Sequence, residues 1–237
     1  MHNYDVVAED IAETEIAESE NDNSEIPESD FLNENNETTE TEINEKNIIL
    51  ATNNEHKLKE FREILAPLGY NVLPMPDGIS FEETGSTFAE NAFIKANAVY
   101  EKTHTAVIAD DSGLCVDWLG GEPGVHSHRY GGEDMDDASR YEFLLSELSG
   151  VKKKNRKAHF ECVICYINSA GSEKYFTGIC EGTITEKPSG AGGFGYDPIF
   201  SVQTGFLSSK TFSELTPNEK NKISHRGKAV NQLLKEL

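Results

Sequence analysis

Two adjacent carboxylates, Asp110 and Asp111, stand in the stretch ADDSGL directly after the apolar run TAVI. Side by side they repel, and near a core each must be solvated, paired or bound to a cation. Neighbours in an extended segment point to opposite faces, so one is expected to face a cleft and the other a structural partner. Ser112 and Gly113 leave room there for a close ligand. Four other stretches carry matching chemistry. ATNNEHK, residues 51–57, joins an apolar run to a helical pattern, where free backbone N–H groups and Lys57 offer an anion site. It contains no glycine and is not a Walker loop. FEETG, residues 81–85, puts Glu82 and Glu83 before a second helical pattern. SGAGGFGYDP, residues 189–198, exposes Phe194 for stacking on a flat ligand, followed by Gly195, Tyr196 and Asp197. Its formal GxGxxG spacing opens no helix, because Pro198 follows, and this excludes a dinucleotide fingerprint. EKNKISHRG, residues 219–227, gathers Lys220, Lys222, His225 and Arg226, suited to phosphate or to the carbonyl edge of a base.

Each stretch alone also reads as a cap, a turn or a solvated helix start. Together they supply cations and backbone donors for phosphates, carboxylates for a hard cation, and an aromatic with polar edge-readers. That set fits a nucleoside triphosphate with Mg²⁺, which commonly bridges one or two carboxylates to substrate phosphates. Electrostatics demands the metal. A phosphate about 4 Å from a carboxylate is repelled by roughly 4 kcal/mol at an effective dielectric of 20, and a divalent ion between them reverses the sign.

The elements that must hold these groups follow from hydrophobic spacing. NIILA, NVLPM and TAVIA read as short strands. Between them, Leu58, Phe61, Ile64, Leu65 and Leu68 repeat at helical spacing up to Gly69, and Phe88, Ala92, Ile94, Ala96 and Val99 mark the buried side of a second helix. A third helix is expected around DDASRYEFLLSEL. Two long β-patterned runs follow, AHFECVICYINSAG and EKYFTGICEGTITEKP, joined like an antiparallel pair, and the last stretch is mostly helical. The fold class is therefore α/β, a mixed twisted sheet with flanking helices.

Composition separates the chain into two parts. Of 237 residues with a formal charge of −21, residues 1–45 hold sixteen acidic groups and no lysine or arginine. Such a segment buries too little apolar surface to offset its ordering entropy, so it is expected to be a disordered acidic extension in front of a folded domain, residues 46–237. No basic apolar leader and no membrane-spanning stretch is evident, and the four cysteines form no zinc set, which points to a reducing cytoplasm. The acidic balance argues against nucleic-acid binding.

ILATNNEHKLKEF, EETGSTFAENAFIKA, IADDSGLCVDWLGGEPGVHSHRYGG, GGFGYDPIF and ELTPNEKNKISHRGKAV occur in this order over residues 47–237. The set resembles the non-canonical purine nucleoside triphosphate pyrophosphatases, the inosine/xanthosine triphosphate pyrophosphatase family. The resemblance implies two lobes around a central cleft, a homodimer, and Mg²⁺-dependent hydrolysis of ITP, dITP and XTP to the monophosphate and pyrophosphate. It implies a phosphate loop at Thr52, Asn53, Asn54, Glu55, His56 and Lys57. It implies metal binding by Glu82, with Glu83 beside it, and by Asp111, which is also the proton acceptor. Substrate contacts are implied at Ser112, at Phe194 to Asp197, and at Lys220, His225 and Arg226. One departure stands in the first loop, where Thr52-Asn53-Asn54 replaces the family's usual Thr-Gly-Asn.

Overall fold

The computed structural model describes residues 47–203, 205–207 and 209–237; the expected acidic extension lies outside them. Six strands form one mixed sheet in the order β2-β1-β3-β4-β5-β6. They are β1 (Asn47–Leu50), β2 (Asn71–Pro74), β3 (Val107–Val116), β4 (Lys157–Ile167), β5 (Glu173–Ile184) and β6 (Phe200–Val202). The β2-β1-β3 half is parallel, and every pairing from β3 onward is antiparallel. β3 is thus the seam between the halves. β4 and β5 make the expected long hairpin, turned at Asn168–Ser172, where Asn168 Oδ1 accepts from the backbone N–H groups of Ala170 and Ser172.

Among the described residues five helices flank the sheet: α1 (Glu55–Leu65), α2 (Phe88–Thr103), α3 (Asp137–Glu147), α4 (Pro217–Ile223) and α5 (His225–Leu233). Local chemistry sets their ends. Asn54 caps α1 by accepting from His56 N and Lys57 N, and Thr87 with Glu90 forms a capping box on α2. Ser224 ends α4 and caps α5, which makes the break between Lys220 and Arg226. α1 and α5 cover one face of the sheet, where Leu58, Phe61, Leu65, Val230 and Leu233 pack on Ile108, Cys162 and Ile164. α2 covers the other, packing Ala92, Ala96 and Val99 on Val107, Ala109 and Cys165. A third cluster joins α3 to the far ends of β3 to β6 through Leu114, Leu144, Phe160, Phe200 and Phe212.

Three local features differ from the sequence pattern. The third strand does not stop before the acidic pair. It continues to Val116, paired residue by residue with β4, so all of ADDSGL is strand. Gly113 permits this, because a Cβ there would run into Gly124 O and Ser127 Oγ. On α2, Ile94 is only half-buried while Lys95 is buried, since the helix turns its one internal cation toward the strand carboxylates. Finally, β6 is a three-residue strand that the periodicity did not mark.

Candidate active site

Because Ile108 and Ala109 pack on opposite faces of the sheet, so do the two aspartates that follow them. Asp110 points to the α1/α5 side and is fully buried among cations. Its Oδ2 accepts from Arg226 Nε at 3.2 Å and Nη2 at 3.0 Å, and Lys57 Nζ lies 3.1 Å away. Burial pushes its carboxyl up, but Lys57 and Arg226 outweigh that and hold it well below the usual carboxylate range. Asp111 points to the α2 side. Lys95 Nζ donates to its Oδ1 at 2.8 Å and to Glu83 Oε1 at 2.6 Å, and Asn91 Nδ2 donates to Oδ2 at 3.3 Å. Here burial dominates and the like charge of Glu83 adds to it, so Asp111 stays above the ordinary carboxylate value in spite of Lys95 and Lys57.

Asp111 lines a cleft of about 910 Å³, and Asp110 lies buried beneath it behind Lys57 and Arg226. The cleft gathers nearly all of the residues singled out from sequence: Thr52 to Lys57, Asp111, Ser112, Phe194 to Asp197, Lys220, His225 and Arg226. Glu82 is the exception. It is exposed and outside the lining, whereas Glu83 lines the cleft beside Lys95. Alternation along the extended FEETG segment aims one glutamate inward and its neighbour out.

At one end of the cleft, the start of α1 offers its first-turn N–H groups, although Asn54 Oδ1 already takes those of His56 and Lys57 at 2.9 and 3.2 Å. Asn53 and Glu55 are exposed on this loop, and Thr52 Oγ1 braces it by accepting from Asn54 N. Facing this turn, Gly193 and Gly195 both have positive φ, 76° and 59°, and hold Phe194 between them. Asp197 Oδ2 accepts from Phe194 N at 3.0 Å and from Lys220 Nζ at 2.7 Å. Tyr196 is buried, and its hydroxyl donates to Ser127 O, so it fixes the loop by its phenol. His225 is buried and stacks on Phe160 with ring centroids 4.7 Å apart. Burial, then Arg226 and Lys220, push its imidazole well below the usual value, which keeps it neutral, and its Nδ1 has no partner among the described residues.

Five residues of this site carried no motif of their own. Glu60 on α1 binds Lys220 at 3.0 Å and also Arg226, tying both cations to the first helix. Lys95 and Asn91 hold Asp111 from α2. Arg129 and His128 approach Glu83 at 4.0 and 3.8 Å from the loop after β3. A helical wheel places Asn91 and Lys95 one turn apart on the side of Ala92 and Ala96, the only available hint.

The oxygen donors of Glu83 and Asp111 suit a hard divalent ion. They converge on one positive charge, Lys95 Nζ, and Asp111 keeps an under-compensated negative charge. No group of three or more His, Cys, Asp or Glu side chains is arranged as a metal cage among the described residues. Two carboxylates plus substrate oxygens would be a magnesium arrangement.

The model of the Ham1 family matches residues 48–236. A dITP/XTP pyrophosphatase of Bacillus subtilis (strain 168) is 50% identical over 196 residues, covering 81% of this chain and 97% of the relative. One from Treponema denticola is 51% identical over 192 residues, covering 77% and 94%. Among solved structures, the Ham1 protein of Staphylococcus aureus superposes with a TM-score of 0.70 at 41% identity, over 80% of this chain and 97% of that one. A HAM1 protein from Coxiella burnetii gives 0.70 at 42% identity, over 81% and 99%.

Proposed function

The chain belongs to the Ham1 family, and from that premise we propose that it hydrolyses dITP, XTP and ITP to the monophosphate and pyrophosphate with Mg²⁺. One observation carries the reading: a single cleft holds a helix N-terminus with Lys57, the Glu83–Asp111 carboxylate pair, and Phe194 flanked by Lys220 and Arg226. A triphosphate, its metal and its base each find a matching surface.

The first turn of α1 and Lys57 bind the phosphate chain and set its direction along the cleft. Glu83 and Asp111 would hold Mg²⁺, which when bound neutralises phosphate charge. Asp111 accepts the proton of the water that attacks the α-phosphorus, so the bond from that phosphorus to the bridging oxygen breaks and pyrophosphate leaves. Its raised affinity for protons makes it a better acceptor than an ordinary aspartate. Lys95 neutralises the pair and orients Asp111; Asp110 keeps Lys57 and Arg226 in place. Most of the acceleration is then positioning and charge stabilisation.

At the base end, Arg226 and a neutral His225 face a purine's 6-oxo group. Adenine presents an amino donor there and would leave buried donors unpaired, a mismatch that discriminates strongly. The family resemblance further supports a cytoplasmic homodimer in which residues 46–237 form the catalytic domain behind the acidic extension. The test is a substrate panel of dITP, XTP, ITP, dGTP and dATP with pyrophosphate readout, with Mg²⁺ and with a chelator, for the full chain and for residues 46–237. Release of orthophosphate, or equal rates on dATP and dITP, would sink the proposal.

A further inference from the structure

Phe194 is covered on its ring by two very different neighbours. The His56 imidazole lies nearly parallel to it, at 14° with centroids 5.2 Å apart, and Lys220 Nζ sits 4.6 Å from the ring centroid. Lys220 is buried and anchored by Asp197 and Glu60, so it does not yield its place cheaply. Phe194 is equally fixed, with its N–H on Asp197 and a left-handed glycine on each side. His56 is the opposite case. It is exposed, and among the described residues no hydrogen bond holds its ring. Only its backbone is pinned, by the bond from His56 N to Asn54 Oδ1.

A base that stacks on Phe194 must therefore move His56. Opening the pair by the thickness of one aromatic ring, about 3.5 Å, lies within the swing of an exposed side chain whose backbone stays put. We propose that His56 is the second wall of the base slot: the purine enters between His56 and Phe194, and the stack seen here is that slot closed on itself. The proposal deepens the function given above and rests on it for the identity of the ligand. It assigns His56 a task that its place in the phosphate loop does not suggest, since its ring stacks on Phe194. It also makes the slot span the cleft, one wall on the α1 loop and one on the glycine-rich loop, so a bound base bridges the two.

The test is binding rather than turnover. Affinities of the full chain for a non-hydrolysable inosine triphosphate with a methylene α,β-bridge, and for inorganic tripolyphosphate, are measured by calorimetry in magnesium buffer. Base stacking on an aromatic predicts that His56→Ala weakens the nucleotide about tenfold. It leaves tripolyphosphate unchanged, and His56→Phe keeps the wild-type value for both. Equal weakening of both ligands by His56→Ala would place the histidine in phosphate binding or loop folding and overturn the proposal. So would a His56→Phe variant as weak as His56→Ala, because the ring face would then not be what matters. Wild-type protein that binds the analogue in this pattern but releases no pyrophosphate from dITP would refute the catalytic reading alone.

Discussion

Replacing each of the adjacent aspartates by asparagine should break two different properties. Asp110 is fully buried and compensates Arg226 and Lys57 at 3.0 and 3.1 Å. Removing its charge strands buried cations, a change that costs about 3–5 kcal/mol. For a domain of this size 1 kcal/mol is worth about 2–4 °C, so Asp110→Asn should lower Tm by roughly 6–20 °C. Its carboxyl lies well below the ordinary value in the folded state. The stabilisation is therefore complete above about pH 4, the unfolded-chain value, and fades as pH falls further. The Tm gap between wild type and Asp110→Asn should accordingly be full at pH 7 and shrink in acid. Asp111 is shifted the opposite way, so its charge burdens the fold at neutral pH, and Lys95 retains Glu83 when it is gone. Asp111→Asn should leave Tm unchanged or slightly higher and lower kcat by about 10²–10⁴-fold. Calorimetric melts at several pH values and pyrophosphate release on dITP measure both. Equal Tm losses for the two variants, or an Asp111→Asn enzyme within threefold of wild-type kcat, would refute the division of labour.

Two further outcomes follow from the same contacts. Lys95→Met removes the main countercharge of Asp111 and leaves burial and Glu83 to push its carboxyl higher, so the acid limb of kcat/KM should move to higher pH; a limb that stays or moves down contradicts this. Gly193→Ala puts a methyl group against the Asp197 carboxylate at a left-handed backbone position. Strain of about 1–3 kcal/mol should then show as a lower Tm and a raised KM for dITP, with inhibition by tripolyphosphate untouched.

The elements with strong periodicity could be read from sequence: α1 as far as Leu65, α2 and the β4–β5 hairpin stand where spacing and caps put them, while the expected last turn of α1 up to Gly69 is a 3-10 turn that leaves Leu68 exposed. The extent of β3 could not. Two aspartates, a serine and a glycine look like a turn until Lys95 on one face, and Lys57 and Arg226 on the other, are seen to compensate them. The candidate site was legible as a list of stretches, because each carries its own motif. Its supports were not. Glu60 looks like an ordinary exposed position of a charged helix and Lys95 like a lone charge on an apolar face, and only packing reveals that each binds two partners of opposite sign. Which of Glu82 and Glu83 faces the cleft likewise depends on how an extended segment rolls, and Glu83 is held inward by its contact with Lys95.

The placement of both aspartates on one fully paired strand makes hydrogen-bond register a determinant of chemistry. A slip of β3 by one residue against β4 would exchange the faces, sending Asp111 among Lys57 and Arg226 and Asp110 toward Lys95. The same slip would drive Ser112 or Leu114 into the place of Gly113, where Gly124 O and Ser127 Oγ admit no side chain. Misaligned sheets are thus rejected by steric exclusion before they can persist as compact but inert molecules. Gly113 proofreads the alignment on which the neighbouring carboxylates depend.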